Sequence, residues 1–394
     1  MRFLIRSLAA LALFCFATIE VAQAGGTGYV QTNLVSSTQG MAEVYDPQML
    51  NPWGIAYNGN FGGPFWLANQ YSSNSTVYSV NGTTSSGNLL TVGVNNLGGS
   101  TPPASQPGAG FGPTGIVATG TPGVTVGSSD FLVGGTAGHP SFFIFANLDG
   151  SISAWGSGAS AATIQTSVMN ASFTGLAIGD VGTTPYIYAA DQNSPNVDIF
   201  NGKWQMTGHF TDPNLPSGYT AFNVQNLGGT LFVTFVNPNN PVGGIVDEFT
   251  TSGQFIRTLI SDTTGQHLDT PWGMAIAPTG WGQFGGDLLI GNNAVNGWIN
   301  AYGLDGTYKG YIPLANGQPF AESELWGLSF GGGGTKDGSA DVLYFTAGGP
   351  NQTSGLFGAL SVPEPNSALL GAIGLGIGVA VSRSKKFRAA IARG

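Results

Sequence analysis

Oxygen-bearing side chains crowd the segment 191–196, which reads Asp-Gln-Asn-Ser-Pro-Asn. Carboxylate and amide oxygens supplied by one turn are the ligands that calcium prefers in proteins. Asp191, Asn193 and Asn196 are therefore the candidate ligands of a calcium ion. The segment lacks the complete pattern of an EF-hand loop, so a turn stabilised by its own side chains is the alternative interpretation.

The sequence lacks the residue patterns that other common catalytic mechanisms require. The sequence contains no Gly-x-Ser-x-Gly elbow for a nucleophilic serine, and its only cysteine, Cys15, lies near the N-terminus. His139, His209 and His267 are far apart, with no second histidine at the spacing of zinc ligands. We interpret each of them as an isolated loop histidine. Motifs alone thus assign no catalytic residue.

Tryptophan in a repeated setting is the next candidate for chemistry. Trp53, Trp272 and Trp326 each precede a glycine, in the words Asn-Pro-Trp-Gly, Thr-Pro-Trp-Gly and Glu-Leu-Trp-Gly. An aromatic ring stacks well on the C–H face of a sugar, so one interpretation is a sugar platform at the rim of a channel. The interpretation that we favour is that these residues form the core of a repeat.

These words mark copies of a unit made of strands and glycine-rich turns. The first is followed by a turn and by a strand of apolar residues at 65–69. Weaker copies begin near residues 113, 173 and 220, so six copies follow each other at intervals of about 55 residues. The last copy has three strands, and residues 29–35 can supply a fourth. The pattern predicts an all-β fold, a six-bladed β-propeller, with five or seven blades as alternatives.

The third copy resembles the NHL-type propeller repeat. Residues 173–178 read Phe-Thr-Gly-Leu-Ala-Ile, residues 186–191 form a strand that ends in Ala-Ala-Asp, and residues 196–200 begin with Asn and end in Ile-Phe. The NHL-type unit has the same order of Gly-Ile-Ala, a strand ending in Ala-Asp, and an Asn turn before a strand ending in Val-Phe. This resemblance implies the propeller fold.

A second resemblance opens an enzyme hypothesis. Metal-dependent lactonases and sugar-acid hydrolases share the six-bladed shape and hold a channel metal with acidic and amide side chains. The likeness implies Asp46, Asp191 and Glu324 as candidate catalytic residues, with Asn193 as an amide ligand. None of them matches a lactonase motif residue by residue, so this hypothesis depends on the fold alone.

The charge of the predicted body excludes nucleic acid as a partner. Residues 25–361 contain four basic residues, Lys203, Arg257, Lys309 and Lys336, against 18 acidic ones, a net charge of −14. Such a surface repels phosphate backbones and anionic membranes. It favours divalent cations, which makes calcium the one candidate cofactor.

The N-terminus has the three parts of a secretory signal peptide. Arg2 and Arg6 precede an apolar run over residues 8–19, and Ala22 and Ala24 supply small residues at the spacing of a cleavage site. We predict a signal peptide and export through the inner membrane. An uncleaved anchor is the alternative, although the run is shorter than the about 20 residues that a membrane span needs.

The C-terminus combines a Pro-Glu-Pro triplet, a glycine-rich apolar segment over residues 367–382 and a basic end. This order resembles the PEP-CTERM sorting tail of Gram-negative bacteria. The resemblance implies a transmembrane helix over 367–382, transient anchoring, and recognition by an exosortase, a membrane protease-transpeptidase of species that make an exopolysaccharide matrix. A simple C-terminal anchor is the alternative. The residues that carry the resemblance are Pro363, Glu364, Pro365, Arg383, Lys385 and Lys386.

The sequence thus predicts a signal peptide over residues 1–24, a β-propeller over 25–361 and a sorting tail over 362–394. We expect an exported, non-catalytic binding or structural protein at the cell surface or in the extracellular matrix. Its expected partners are exopolysaccharide or another surface protein, besides the exosortase. The alternatives are a metal-dependent lactonase- or hydrolase-like enzyme acting on a sugar derivative, and a scaffold for a periplasmic complex.

Overall fold

The structure is a computed structural model that describes residues 28–98, 110–135 and 138–363. The predicted signal peptide, with Ala22 and Ala24, lies outside these residues, and so does the predicted tail from Glu364 onward. Within the part that is described, we find no helix with the length and apolarity that crossing a membrane requires.

The described chain is built from short strands joined by turns. In chain order the strands are β1 (Val30–Ser36), β2 (Val44–Tyr45), β3 (Pro52–Tyr57), β4 (Phe65–Asn69), β5 (Asn74–Tyr78), β6 (Val80–Asn81), β7 (Thr84–Ser85), β8 (Leu90–Val94), β9 (Pro113–Ala118), β10 (Leu132–Val133), β11 (His139–Asn147), β12 (Ser151–Gly156), β13 (Ala161–Ser167), β14 (Phe173–Val181), β15 (Thr184–Asp191), β16 (Val197–Asn201), β17 (Met206–Phe210), β18 (Thr220–Leu227), β19 (Thr230–Val236), β20 (Gly244–Thr250), β21 (Phe255–Asp262), β22 (Pro271–Ile276), β23 (Leu288–Asn292), β24 (Ile299–Tyr302), β25 (Tyr308–Tyr311), β26 (Leu325–Phe330), β27 (Val342–Ala347) and β28 (Leu356–Ser361).

Within the sheets, most strands pair antiparallel with the next strand along the chain, and β1 and β2 are an exception that pairs parallel. β14–β17, β18–β21 and β22–β25 are separate four-stranded sheets. β3, β4, β5 and β8 pair in that order, as do β9, β11, β12 and β13, and a short parallel pairing of β8 with β13 joins these two groups through their last strands. The copy near residue 220, which looks degenerate in sequence, therefore forms a complete sheet.

The two ends of the described chain meet in one sheet. β26, β27 and β28 pair in order, and β1 adds to β28 antiparallel, with Val30 opposite Ser361 and Ser36 opposite Leu356. The N-terminal strand predicted at residues 29–35 thus completes the sheet of the last copy. Pairing between the ends removes an exposed sheet edge, which would otherwise invite aggregation.

The first strand of each group lies at the centre. These inner strands contact each other in the order β3, β9, β14, β18, β22 and β26, and β26 contacts β3 again. Radial sheets whose first strands surround one axis form a β-propeller, so the all-β propeller fold that the sequence predicts is confirmed. Apolar clusters fill the spaces between consecutive sheets, and a separate cluster lies where the inner strands meet.

Glycine sets the hairpins where the backbone must turn tightly. Gly228 and Gly229 form the two-residue connection between β18 and β19, with φ of 66° and 91°. Both values lie in the left-handed region, which two-residue hairpins favour because their twist then matches that of the strands. A side chain at either position would strain this turn.

Candidate functional site

The three repeated tryptophans lie together at the axis. Trp53, Trp272 and Trp326 belong to the inner strands β3, β22 and β26, and each is at most 5% exposed. Trp53 stacks on Trp326 with ring centroids 3.5 Å apart, and Trp272 meets both rings edge to face at 6.1 and 5.8 Å. Phe222 and Val236 complete this cluster. We call it the axial aromatic cluster.

The glycine after each tryptophan lets neighbouring inner strands approach closely. A Cβ atom on Gly54 would lie 2.5 Å from the Thr114 carbonyl oxygen, and one on Gly327 would lie 2.7 Å from that of Trp53. On Gly273 it would overlap the Trp326 carbonyl oxygen. Real Cβ atoms do not tolerate such contacts, so the Trp-Gly word is a packing unit: the ring fills the axis and the glycine accepts the next strand.

The residue two positions before each tryptophan has a left-handed backbone. Asn51, Thr270 and Glu324 have φ of 48°, 55° and 55°, a conformation that residues other than glycine rarely adopt. The chain enters the inner strand through this bend, which directs the following ring to the axis. The repeated words therefore share a backbone conformation as well as side chains.

Polar groups around the axial aromatic cluster are mostly satisfied. The Trp272 indole nitrogen donates to the Thr174 carbonyl oxygen at 2.9 Å, and that of Trp326 donates to Asn51 Oδ1 at 3.0 Å. Asn51 in turn donates to Gln70 Oε1 at 2.8 Å. The Trp53 nitrogen is buried without a partner among the described residues. These bonds fix the Trp272 and Trp326 rings, and the burial of all three rings leaves no face free for a sugar.

An open channel continues along the axis beyond this cluster. It has a volume of about 270 Å³ and is lined by later residues of the inner strands, such as Ile55, Val117 and Leu176. Its two amides are engaged, because Gln225 Oε1 accepts from the Met274 amide at 2.6 Å and Asn226 donates to the Ile178 carbonyl oxygen at 2.9 Å. The channel wall offers polar as well as apolar surface to a ligand.

The calcium candidates form a self-contained turn. Asp191 Oδ1 accepts from the amides of Ser172 at 2.8 Å and Asn193 at 3.0 Å, and its Oδ2 accepts from the Ser194 hydroxyl at 2.8 Å. The Asn196 carbonyl oxygen accepts from the Asp191 amide at 3.1 Å. Both carboxylate oxygens thus already accept hydrogen bonds from nearby protein groups. In the described ranges, no three His, Cys, Asp or Glu side chains are grouped closely enough to hold a metal ion.

The other two acidic candidates lie in different surroundings. Asp46 is buried and accepts from the Tyr78 hydroxyl at 2.6 Å and from Asn88 at 2.8 Å. Burial raises the pKa of Glu324, although hydrogen bonds from Gln352 and Asn293 lower it in part. No hydrogen bond among the described residues links Asp46, Asp191 and Glu324, so each has its own structural environment.

A pocket beside the β22–β25 sheet brings together residues that the sequence analysis did not combine. It has a volume of about 230 Å³. The connection before β22 contributes residues 265–267 and Asp269, and the β22–β25 sheet with its connections contributes the rest. We call it the amide pocket, and its lining includes His267, Asp269, Asn292, Trp298, Asn300 and Tyr308.

Aromatic rings form one side of the amide pocket. The exposed His267 ring lies flat on Tyr308, with centroids 3.6 Å apart and planes at 8°. Trp298 is 40% exposed, and its ring lies 5.7 Å from that of Tyr311. Burial raises the pKa of Tyr308, and the nearby Tyr311 raises it further. The pocket thus presents rigid aromatic surface to solvent.

A network of hydrogen bonds holds the loop that carries His267. Asp262 accepts from the backbone amides of residues 264, 266, 267 and 268 at 3.2, 3.1, 2.6 and 2.9 Å. Partial burial would raise the pKa of Asp262, but these four amides outweigh it and lower the pKa to about 2. Asn292 and Asn300 both donate to the His267 carbonyl oxygen, Asn292 at 2.9 Å. The loop is therefore fixed without any ligand.

Comparison with known proteins adds the following relatives. No family model matches the chain. It is 27% identical over 352 residues to an uncharacterised protein of Acanthamoeba polyphaga mimivirus, covering 83% of this chain and 78% of that protein. A second uncharacterised protein of the same virus is 25% identical over 346 residues, covering 83% and 84%.

Solved structures with a similar arrangement have low sequence identity. The WD40 β-propeller domain of Doa1 is 10% identical, with a TM-score of 0.45 and 79% of each chain covered. A chain of a nidogen/laminin complex is 18% identical, with a TM-score of 0.37, covering 51% of this chain and 68% of that one.

The sequence contained a signal for the amide pocket that the analysis did not use. Asn292, Asn296 and Asn300 recur every four residues around the exposed Trp298. Asn292 ends β23, Asn296 lies in the connection and Asn300 lies in β24, so this stretch of sequence is rich in side-chain amides on both sides of the turn. The contribution of His267 came from a separate loop, which only the tertiary structure brings near.

Proposed function

We propose that this chain is an exported, non-catalytic binding protein that holds a surface or matrix ligand in the amide pocket. The observation that carries the proposal is that this pocket is preformed: a hydrogen-bonded loop presents His267 beside Tyr308 and Trp298. Rigid sites lose little entropy on binding, which favours affinity. The axial aromatic cluster, in contrast, is packed like a protein core.

The scaffold of the proposal is a six-bladed propeller of the NHL-like type. Support for six comes from the six inner strands that contact each other in a closed order and from the spacing of the repeated words. The sheets β3–β8 and β9–β13 count as two blades in this proposal, because each has its own inner strand and the parallel pairing between them is short. A ligand that binds at the connections of one blade does not disturb the packing between blades.

The proposed location of the protein depends on the two terminal segments of its sequence. A signal peptide would export the chain, and the Pro-Glu-Pro tail with its apolar segment would anchor it transiently until an exosortase processes it. The body, with a net charge of −14, would then stay at the surface or in the matrix through its ligand, either exopolysaccharide or another surface protein.

Fractionation of producing cells tests this proposal. We expect the full-length protein at the surface or in the matrix, and a variant that lacks residues 363–394 in the medium or periplasm. A variant with Trp298→Ala should be exported and processed normally but be washed off the surface more easily. Unchanged location without the tail would contradict the sorting proposal, and unchanged retention of Trp298→Ala would contradict the assigned binding site.

A further inference from the structure

We propose that the amide pocket binds a neutral saccharide, with one sugar ring against the aromatic side of the pocket. This inference rests on the proposed function, because it names the ligand class of the same site. The structural basis is the juxtaposition of half-exposed aromatic rings with carboxamide and carboxylate groups in one preformed cavity.

The aromatic surface fits a sugar face. Trp298 in the lining is 40% exposed, although large aromatic rings are usually buried in a folded protein. Tyr311, which is 37% exposed, lies next to it outside the lining, with ring centroids 5.7 Å apart. The stacked pair of His267 and Tyr308 forms a second flat surface at the same pocket. The C–H face of a pyranose is apolar and flat, so it removes such rings from water without losing hydrogen bonds of its own hydroxyls.

A buried acceptor at the pocket lacks a donor. Asn300 is 2% exposed, and its Oδ1 has no hydrogen-bond partner among the described residues, while its Nδ2 donates to the His267 carbonyl oxygen. An unsatisfied buried acceptor is costly and uncommon in native structures. This oxygen is closed to solvent, so a ligand hydroxyl can donate to it only after the Asn300 side chain shifts, whereas an aliphatic ligand would leave it unsatisfied.

The remaining polar groups select against negatively charged ligands. The described lining of the pocket includes the carboxylate of Asp269 and contains no lysine or arginine. Phosphate, sulfate and uronate groups would therefore meet a negative charge with no lysine or arginine in the described lining to balance it. A carboxylate accepts hydrogen bonds from sugar hydroxyls equally well, so a neutral sugar retains its contacts and avoids the repulsion.

Size and rigidity point to a single ring. The pocket volume of about 230 Å³ lies below the about 300 Å³ at which pockets for drug-sized ligands begin. The Asp262 carboxylate and the Asn292 side chain hold the loop from two sides. A longer saccharide would therefore place one ring in the pocket and extend its neighbours along the exposed Trp298.

Titration of the full-length protein, purified in mild detergent, tests the inference. The probes are neutral hexasaccharides of glucose, mannose, xylose and N-acetylglucosamine, with hexagalacturonate as the anionic counterpart, and calorimetry gives the dissociation constants. We expect at least one neutral probe to bind more tightly than hexagalacturonate. Trp298→Ala should weaken that binding about tenfold, and Phe61→Ala, which removes a ring that is 76% exposed elsewhere, should leave it unchanged.

A second variant, His267→Ala, still tests the inference if Trp298→Ala fails to fold. His267→Ala removes only a ring on Tyr308 and keeps the backbone groups that Asp262 and Asn292 hold, so it should also weaken binding. The inference is overturned if no neutral probe binds, if hexagalacturonate binds more tightly, or if both pocket variants bind like the wild type. Loss of surface retention in Trp298→Ala without sugar binding would refute the ligand class alone, whereas sugar binding by a protein that is not exported would refute the proposed location.

Discussion

Two groups of aromatic residues in this protein have opposite surroundings. In the axial aromatic cluster, Trp326 is 1% exposed and stacks on Trp53 at 3.5 Å. In the amide pocket, Trp298 is 40% exposed and shares the lining with several side-chain amides. The same residue type thus stabilises the fold in one place and is available for recognition in the other.

The difference teaches which feature of an aromatic residue indicates its role. The axial tryptophans recur in the sequence because every inner strand must reach the same axis, and their glycines recur because the strands approach closely. Trp298 belongs to no repeated word, since a binding site needs to occur on only one blade. In these two groups, the repeated tryptophans form the core at the axis, and Trp298, which lies outside the repeated words, lines the candidate site.

The largest expected effect is the loss of stability when the axial aromatic cluster is disrupted. Trp326→Ala removes a buried ring that stacks on Trp53 and donates to Asn51. We expect a loss of about 3 to 5 kcal/mol in the free energy of unfolding, measured by chemical denaturation. Trp298→Ala is the matched control, with a loss below about 1 kcal/mol because its ring is half exposed. Equal losses in the two variants would remove the distinction between the clusters.

A smaller effect tests the glycine that accompanies the tryptophan. Gly273→Ala would place a methyl group against the Trp326 carbonyl oxygen, and we expect a destabilisation of about 1 to 3 kcal/mol from overpacking. Gly280→Ala is the control, since its added Cβ would meet no atom within 4 Å. If the melting temperature of Gly273→Ala matches that of Gly280→Ala, the inner strands do not depend on this close approach.

The pH dependence of stability tests the burial of two carboxyl groups that lie outside the amide pocket. Burial of Asp247, which is 0% exposed, raises its pKa to about 7; the Thr258 hydroxyl lowers it in part and Asp212 raises it. Burial likewise raises the pKa of Asp198 to about 6, with Asp191 adding to the shift and His209 opposing it. The folded state then binds more protons than the unfolded state, in which these groups titrate near about 4.

Stability should therefore fall as the pH rises from about 4 to about 7. Asp247→Asn should flatten this dependence, and at pH 8 the variant should be more stable than the wild type by about 1 to 2 kcal/mol. Thermal melts across the pH range measure the effect, with the exposed Asp341→Asn as control. A wild-type melting temperature that rises over this range would contradict the buried position of these carboxyl groups.

Most of the fold could be predicted from the sequence because the repeat is marked by short local motifs. The Trp-Gly words and the hairpin glycines placed the inner strands within a few residues of β3, β22 and β26, and the strand at 29–35 could be assigned because the last copy was one strand short. The copy near residue 220 was hard to recognise because Phe222 and Asn223 replace the Trp-Gly pair. Asn223 nevertheless keeps the contact, since it donates to the Trp272 carbonyl oxygen at 2.6 Å.

The candidate site was harder to predict because it depends on long-range geometry. Asp191 has the composition of a metal ligand, and only the structure shows that its oxygens accept three hydrogen bonds within its own surroundings. His267 and Tyr308 are 41 positions apart and meet through a loop that Asp262 holds. Local patterns carry no information about such a meeting of separate loops.

The most direct test of the distinction between the two clusters follows the indole N–H signals by NMR during titration with the neutral hexasaccharides. All eight tryptophans report separately, and each signal is assigned by a Trp→Phe variant. We predict that the Trp298 signal shifts with added sugar while those of Trp53, Trp272 and Trp326 stay in place. Shifts of the axial signals with an unchanged Trp298 signal would contradict the account, because they would make the axis the binding site.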